Sequence, residues 1–180
     1  MLPLLVEINR SIEAFGPISA RRRTKFTGAV TVEIVRRHLE ANGLPISSRN
    51  VFIRGNSTEW DLLLIRRKAT PEARIVFDPV DVAAALEVKY SGIYNRDTLP
   101  RLRSAFDQLT SAHPSLRCTY VTMLEREGFT YAATASSLGY PAFTLHWWKK
   151  SREDPNESGD WEKLIEFLRE ALNGQSVGMA

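Results

Sequence analysis

The chain has 180 residues, 43% of them hydrophobic and 25% charged, enough apolar material for the core of one domain of ordinary globular composition. A single cysteine, Cys118, excludes an internal disulfide framework and a cysteine-based zinc site. The formal net charge is only +3, so the clustering of the basic residues says more than their total.

The N-terminal "MLPLLV" is apolar, but Glu7 follows at once and no basic segment precedes it, so a secretory signal is not expected. No run approaches 18 uninterrupted apolar residues, and no membrane span is expected. The compartment expected is the cytoplasm.

Leu4, Leu5, Ile8, Ile12 and Phe15 recur at helical spacing, and Gly16-Pro17 ends that segment. A basic loop with Arg21, Arg22, Arg23 and Lys25 follows. Residues 27–42 predict a second helix, capped by Thr27 and stopped by Gly43 and Pro45, with Val30, Val32, Ile34, Val35 and Leu39 as its apolar set. The period then changes. "NVFIRG" (50–55), "EWDLLLIRR" (59–67) and "VDVAAALEVK" (80–89) read as three strands, and 68–79 connects the last two. After a loop at 91–97, Leu102, Ala105, Phe106 and Leu109 mark a helix over 98–112. "RCTYVTML" (117–124) is a fourth strand, 131–139 a short helix ended by Gly139, and "AFTLHWW" (142–148) a fifth strand. A polar loop (151–160) leads to an amphipathic last helix at 161–172 using Trp161, Leu164, Ile165 and Leu168, and the tail from 174 is expected to fray. The core order is helix, three strands, helix, strand. That predicts an α/β fold with a mixed central sheet and helices on both faces, as one domain over 1–180.

Strand side chains alternate faces, which puts Ala83, Ala85, Glu87 and Lys89 on one side of the third strand and Val82, Ala84, Leu86 and Val88 on the other. The first set is small and then charged. If 59–66 pairs antiparallel with 82–89, Asp61 lies beside the end of the later strand, close to Glu87 and Lys89. Two carboxylates held together persist at low cost when a cation lies between them. Oxygen ligands without cysteine or clustered histidine favour Mg²⁺ or Mn²⁺ over Zn²⁺. A nearby lysine can orient a water or neutralise a phosphate.

The sequence Asp61 … Glu87-Val88-Lys89, in this strand order, resembles the PD-(D/E)xK nuclease superfamily, the restriction-endonuclease-like fold, over roughly residues 27–124. It is also similar to the Asp and Glu-x-Lys strands of archaeal Holliday junction resolvases. The resemblance implies an αβββαβ core and a Mg²⁺- or Mn²⁺-dependent nuclease acting on DNA. In it Asp61, Glu87 and the Val88 carbonyl bind metal, and Lys89 positions the attacking water. Glu33 matches the acidic residue that many members carry on the first core helix, though an ordinary boundary glutamate fits equally well. The chain departs from the family in having Trp60 where a proline precedes the first acid. Asp81, two residues after Pro79, lies on the Glu87 strand itself, about 20 Å away along it, and is set aside. Gln108 has no tyrosine four residues on. The alternative is a non-catalytic nucleic-acid-binding or assembly module of the same fold, and a homodimer is implied by family analogy alone.

Basic residues suited to phosphate contact are Arg21, Arg22, Arg23, Arg66, Arg101 and Arg103. Arg67 and Lys68 extend the Arg66 cluster, and Lys149 and Lys150 form another; each cluster could equally be solvated loop charge. Ser91-Gly92 could approach a phosphate, and Tyr94 could stack on a base, although a turn and a packed tyrosine are the plainer readings. Trp147 and Trp148 are assigned to packing, and Cys118 to a buried apolar position. His38, His113 and His146 lack metal-ligand spacing. No GxSxG, GxxxxGK[ST] or GxGxxG is present, which argues against a serine hydrolase, an NTPase and a dinucleotide enzyme.

Overall fold

The computed structural model describes residues 2–17, 19–66, 75–91, 98–127, 139–151 and 155–174. The first two elements are helices, α1 (Leu2–Ala14) and α2 (Ala20–Ala41). The basic stretch expected as a loop is therefore the first two turns of α2. No breaker stands between Ser19 and Gly43 except Gly28, and Arg and Lys are good helix formers. Thr27 is accordingly no cap: its carbonyl accepts from the buried Thr31 hydroxyl at 2.7 Å inside the helix. The stop is as expected. Gly43 adopts φ +78°, which suits glycine, and the Leu44 N–H reaches back to the Leu39 carbonyl at 3.2 Å.

Strands β1 (Phe52–Ile53), β2 (Leu62–Ile65), β3 (Val76–Phe77) and β4 (Val82–Ser91) come next, with a 3₁₀ turn at Pro79–Asp81 leading into β4. Helix α3 (Thr98–Ala112) separates β4 from β5 (Arg117–Arg126). Then follow β6 (Ala142–Trp148), β7 (Pro155–Glu157) and the last helix, α4 (Asp160–Asn173).

The main sheet runs β2-β4-β5-β6-β7. β4, β5 and β6 are parallel, and β2 and β7 are antiparallel edges. A parallel step needs a long crossover, and α3 supplies it between β4 and β5. The expected antiparallel pairing of β2 with β4 is present, with Leu62 opposite Leu86 and Leu64 opposite Ala84. Two expectations are corrected. The segment 50–55 contributes two residues that pair parallel with β3, in a small sheet of their own. Part of 151–160 forms β7 instead of loop. Of the short helix expected at 131–139, residues 131–138 lie outside the described residues, as do residues 67–74 ahead of β3 and the tail from 175.

Two cores sandwich the sheet. On one face α1, α2 and α4 bring Leu4, Ile8, Val35, Leu39, Leu164 and Leu168 onto Leu62, Leu64, Leu86 and Val88. On the other, α3 and the small sheet bring Phe106, Leu109, Ile53 and Phe77 onto Leu63, Ala85, Cys118 and Tyr120. Simple alternation fails at the start of β4. The register slips between Leu64 and Ile65, leaving Ala83 as an extra residue. This β-bulge puts Val82 with Ala85 and Ala83 with Ala84, against the expected order. Beyond the bulge, alternation holds through Lys89.

Candidate active site

Asp61 lies where β2 leaves β4. By register Trp60 falls opposite Val88, but its N–H and C=O exchange hydrogen bonds with Val51 instead, at 2.8 and 3.0 Å. Asn50 N–H holds the Asp61 carbonyl at 3.3 Å. The Trp60 side chain is fully buried and stacks on Phe106, with centroids 5.4 Å apart and planes at 19°. That contact is worth about 1 kcal/mol beyond its burial and anchors the residue preceding Asp61, where the resembling family has proline.

The departure of β2 leaves the Val88 N–H without a strand partner, and the Asp61 side chain replaces one: Oδ2 accepts from Val88 N at 2.8 Å. The same oxygen accepts from Lys89 Nζ at 3.2 Å, and that ammonium also makes an ion pair with Glu87 Oε1 in close contact. Both groups of one strand residue leave by the same edge, so the Val88 carbonyl points to the Asp61 side as well. The site is half-open: the side chains of Glu87, Asp61 and Lys89 are 11%, 20% and 31% exposed.

Burial first, and then the Asp61 charge, pushes the Glu87 carboxyl up to about 7, despite the opposing pull of Lys89. Glu59 adds to the same repulsion. For Lys89 burial works against the charge, but Glu87 and Asp61 outweigh it and hold the ammonium above its ordinary pKa. A group so placed stays protonated at neutral pH. It can donate hydrogen bonds but cannot act as a general base.

Among the described residues no three His, Cys, Asp or Glu side chains are grouped to hold a metal. The donor set is therefore two carboxylates and one backbone carbonyl, with water to complete it. Hard oxygen donors of net negative charge fit Mg²⁺ or Mn²⁺.

Other sequence-derived residues are distributed differently. Glu33 is held on the outer side of α2 by Arg36 at 2.7 and 3.1 Å and by Arg49 at 3.5 Å. The hydrogen bond from Arg36 lowers its pKa, and none of these partners is Asp61, Glu87 or Lys89. Arg66 sits at the end of β2 away from Asp61. Its guanidinium donates to the carbonyls of Val82, Ser115 and Ala171 at 3.0, 2.9 and 3.4 Å, binding β4, the turn before β5 and α4 together. Arg101 is exposed on α3, and Arg103 pairs with Asp107 at 3.5 Å. Arg22 and Arg23 are exposed on the first turns of α2, while the Arg21 side chain lies outside the described residues. Arg23 lines a cleft of about 300 Å³ with Asn9, Ile12, Glu13, Thr27 and Tyr90. Tyr90 directly follows Lys89 but packs on the α1–α2 face, the side of the sheet opposite the trio. Ser91 ends β4 opposite Leu124, and Gly92 and Tyr94 lie outside the described residues.

Several neighbours of the site were not found from the sequence. The parallel register with β5 puts Tyr120 beside Glu87 and Thr122 beside Lys89. Glu59 had a usable signal, since it precedes Asp61 by two residues and shares its strand parity. Glu125, buried on β5, accepts from the Thr144 hydroxyl at 3.1 Å. A larger cavity, about 520 Å³, lies around Cys118, Tyr140 and Asp107 near the start of β5 and includes none of the trio.

The strand order, the helix layers and the parting of β2 from β4 define a restriction-endonuclease-like α/β fold. It matches the fold of NucC, a PD-(D/E)xK nuclease, over most of the chain. The cAAA-bound form of NucC from P. aeruginosa superposes with a TM-score of 0.59 at 10% identity, covering 94% of this chain and 89% of that one. The apo form of NucC from E. coli gives 0.52 at 14% identity, covering 85% of each. No protein-family model and no curated protein matches the sequence. Among the described residues no helix is long and apolar enough to cross a membrane.

Proposed function

We infer that the chain is a metal-dependent nuclease that hydrolyses phosphodiester bonds in DNA. The observation that supports this reading is the meeting of Asp61, Glu87 and Lys89 where β2 and β4 part, in a chain that folds like NucC. Asp61, Glu87 and the Val88 carbonyl would hold Mg²⁺ or Mn²⁺. When bound, the metal would supply positive charge to the scissile phosphate and the leaving oxygen. Lys89, kept protonated, would donate a hydrogen bond to the attacking water and hold it in line with the bond to be broken. Water forms the new P–O bond and gives up a proton to solvent, the ester P–O bond breaks, and the leaving oxygen takes up a proton from solvent. Arg22 and Arg23, exposed on α2, would contact phosphates of the DNA away from the scissile bond.

The test is cleavage of single-stranded, duplex, flapped and four-way-junction DNA, and of RNA, with Mg²⁺, Mn²⁺ or chelator. One NucC structure is a cAAA-bound form, so each assay is repeated with cAAA added. Chelator-sensitive cutting of DNA that Lys89→Ala abolishes is the expected result. Salt-sensitive binding of DNA with no cutting under any condition would replace the nuclease with the binding module. Equal cutting by the variant would remove the trio from the chemistry.

A further inference from the structure

We infer that Asn50 is a positioning residue for Asp61: its left-handed backbone docks the 50–51 segment onto 59–61 and so sets where the Asp61 carboxylate stands beside β4. This rests on the reading of Asp61 as a site residue above and adds to it what aims the side chain.

β2 pairs with β4 only from Leu62 onward. Just before Leu62 the chain must find its backbone hydrogen bonds elsewhere, and segment 50–51 supplies them. The Val51 N–H donates to the Trp60 carbonyl at 3.0 Å, the Asn50 N–H donates to the Asp61 carbonyl at 3.3 Å, and Trp60 returns its own N–H to the Val51 carbonyl at 2.8 Å. The successive N–H groups of Asn50 and Val51 therefore point to the same neighbouring chain. Extended backbone turns successive N–H groups to opposite edges, so this geometry needs a bulge-like residue between them. Asn50 is that residue, at φ +57°, and among the described residues no other non-glycine has a positive φ. Asparagine enters this region more readily than most side chains, and β-branched residues hardly at all.

The Asn50 side chain adds a second hold. Its amide donates to Glu59 Oε1, so one residue grips the chain on both sides of Trp60. The Glu59 charge is felt at Glu87, so its placement bears on the same site. The other side of the loop is fixed: the Arg49 guanidinium donates to the Ala29 carbonyl of α2 at 2.7 Å and pairs with Glu33 at 3.5 Å. A change at Asn50 is then taken up at 59–61, which has already left the sheet. The Trp60 ring, stacked on Phe106, fixes the depth of this segment, and the Asp61 peptide beyond it takes its direction from Asn50.

The experiment is amide hydrogen exchange by NMR in chelator on the wild type, on Asn50→Gly, which keeps the left-handed turn, and on Asn50→Val, which resists it. The reporter is the Val88 N–H, whose acceptor is Asp61 Oδ2 at 2.8 Å. Asn50→Val is expected to lose about tenfold or more of the protection at Val88, while Ala84 and Ala85 in mid-β4 keep theirs and Asn50→Gly stays near the wild type. Unchanged protection at Val88 in Asn50→Val overturns the proposal. So does an equal loss at Ala84 and Ala85, the mark of a merely structural role, and so does an equal loss in Asn50→Gly, which would take the backbone out of the account. If Asn50→Val does not fold, Asn50→Ala replaces it. Cleavage separates this proposal from the nuclease reading. Where the wild type cuts DNA with Mg²⁺, Asn50→Val should lower kcat by about tenfold or more at unchanged KM, with kcat retained in Asn50→Gly, and undiminished kcat in Asn50→Val overturns the proposal. No cutting by the wild type sinks the nuclease reading alone, and exchange at Val88 still decides what aims Asp61.

Discussion

Asp61 has two separable duties, and a pair of substitutions divides them. As a hydrogen-bond acceptor it replaces the strand partner that Val88 lost when Trp60 turned to Val51. As a charge it faces Glu87 and Lys89. Asp61→Ala removes both. Asp61→Asn keeps an amide oxygen within reach of the Val88 N–H and removes the charge. Both variants relieve the repulsion on Glu87 and both lose the part-buried pair with Lys89. Those electrostatic effects cancel in the comparison. What remains is a part-buried N–H left without an acceptor, which costs about 1–3 kcal/mol. Urea unfolding in chelator should therefore find Asp61→Ala about 1–2 kcal/mol less stable than Asp61→Asn, with the same m-value. Calorimetry should find Mg²⁺ binding lost in both. Equal stability of the two would refute the claim that the Asp61 side chain completes the β4 edge. Undiminished Mg²⁺ binding by Asp61→Asn would refute its place as a ligand.

Glu87 holds its proton more tightly folded than unfolded, so the folded state is favoured fully below the ordinary carboxyl pKa, and that advantage is lost as pH rises from about 4.5 to about 7. In chelator, Glu87→Gln should gain on the wild type across that window by up to about 3 kcal/mol, followed by urea unfolding at each pH; parallel profiles would refute the assignment. Arg66→Ala should cost about 2 kcal/mol by urea unfolding, because three carbonyls lose a charged donor, whereas a phosphate-contacting role would show as a lower salt slope of DNA binding with stability intact. Cys118 is 2% exposed and burial pushes its thiol pKa well up, so an alkylating reagent at pH 8 should label it only as fast as the chain opens; rapid labelling of the native protein would be inconsistent with this packing.

The sequence by itself determined the described helices in outline, most of the strands and the shared face of Asp61 and Glu87. Burial patterns are local: Leu164, Ile165 and Leu168 recur at the period of a helix, and Ala85, Glu87 and Lys89 at the period of a strand. An antiparallel neighbour then put Asp61 opposite the right end of β4. Tertiary structure decided what depends on segments distant in the chain. The bulge at Ala83 is invisible to simple alternation because it arises from pairing with β2. The basic run at 21–25 reads as polar loop or as helix with equal ease, and its continuity with α2 decided for helix. Arg66 looked like one charge of a cluster, yet its partners Ser115 and Ala171 are brought to it only by the closed fold. Tyr120 and Thr122 stand beside Glu87 and Lys89 only through the crossover of α3, whose register no local pattern records. Side-chain periodicity reports which way a residue faces. What it faces is set by long-range packing, where burial and satisfied backbone groups select one pairing among many.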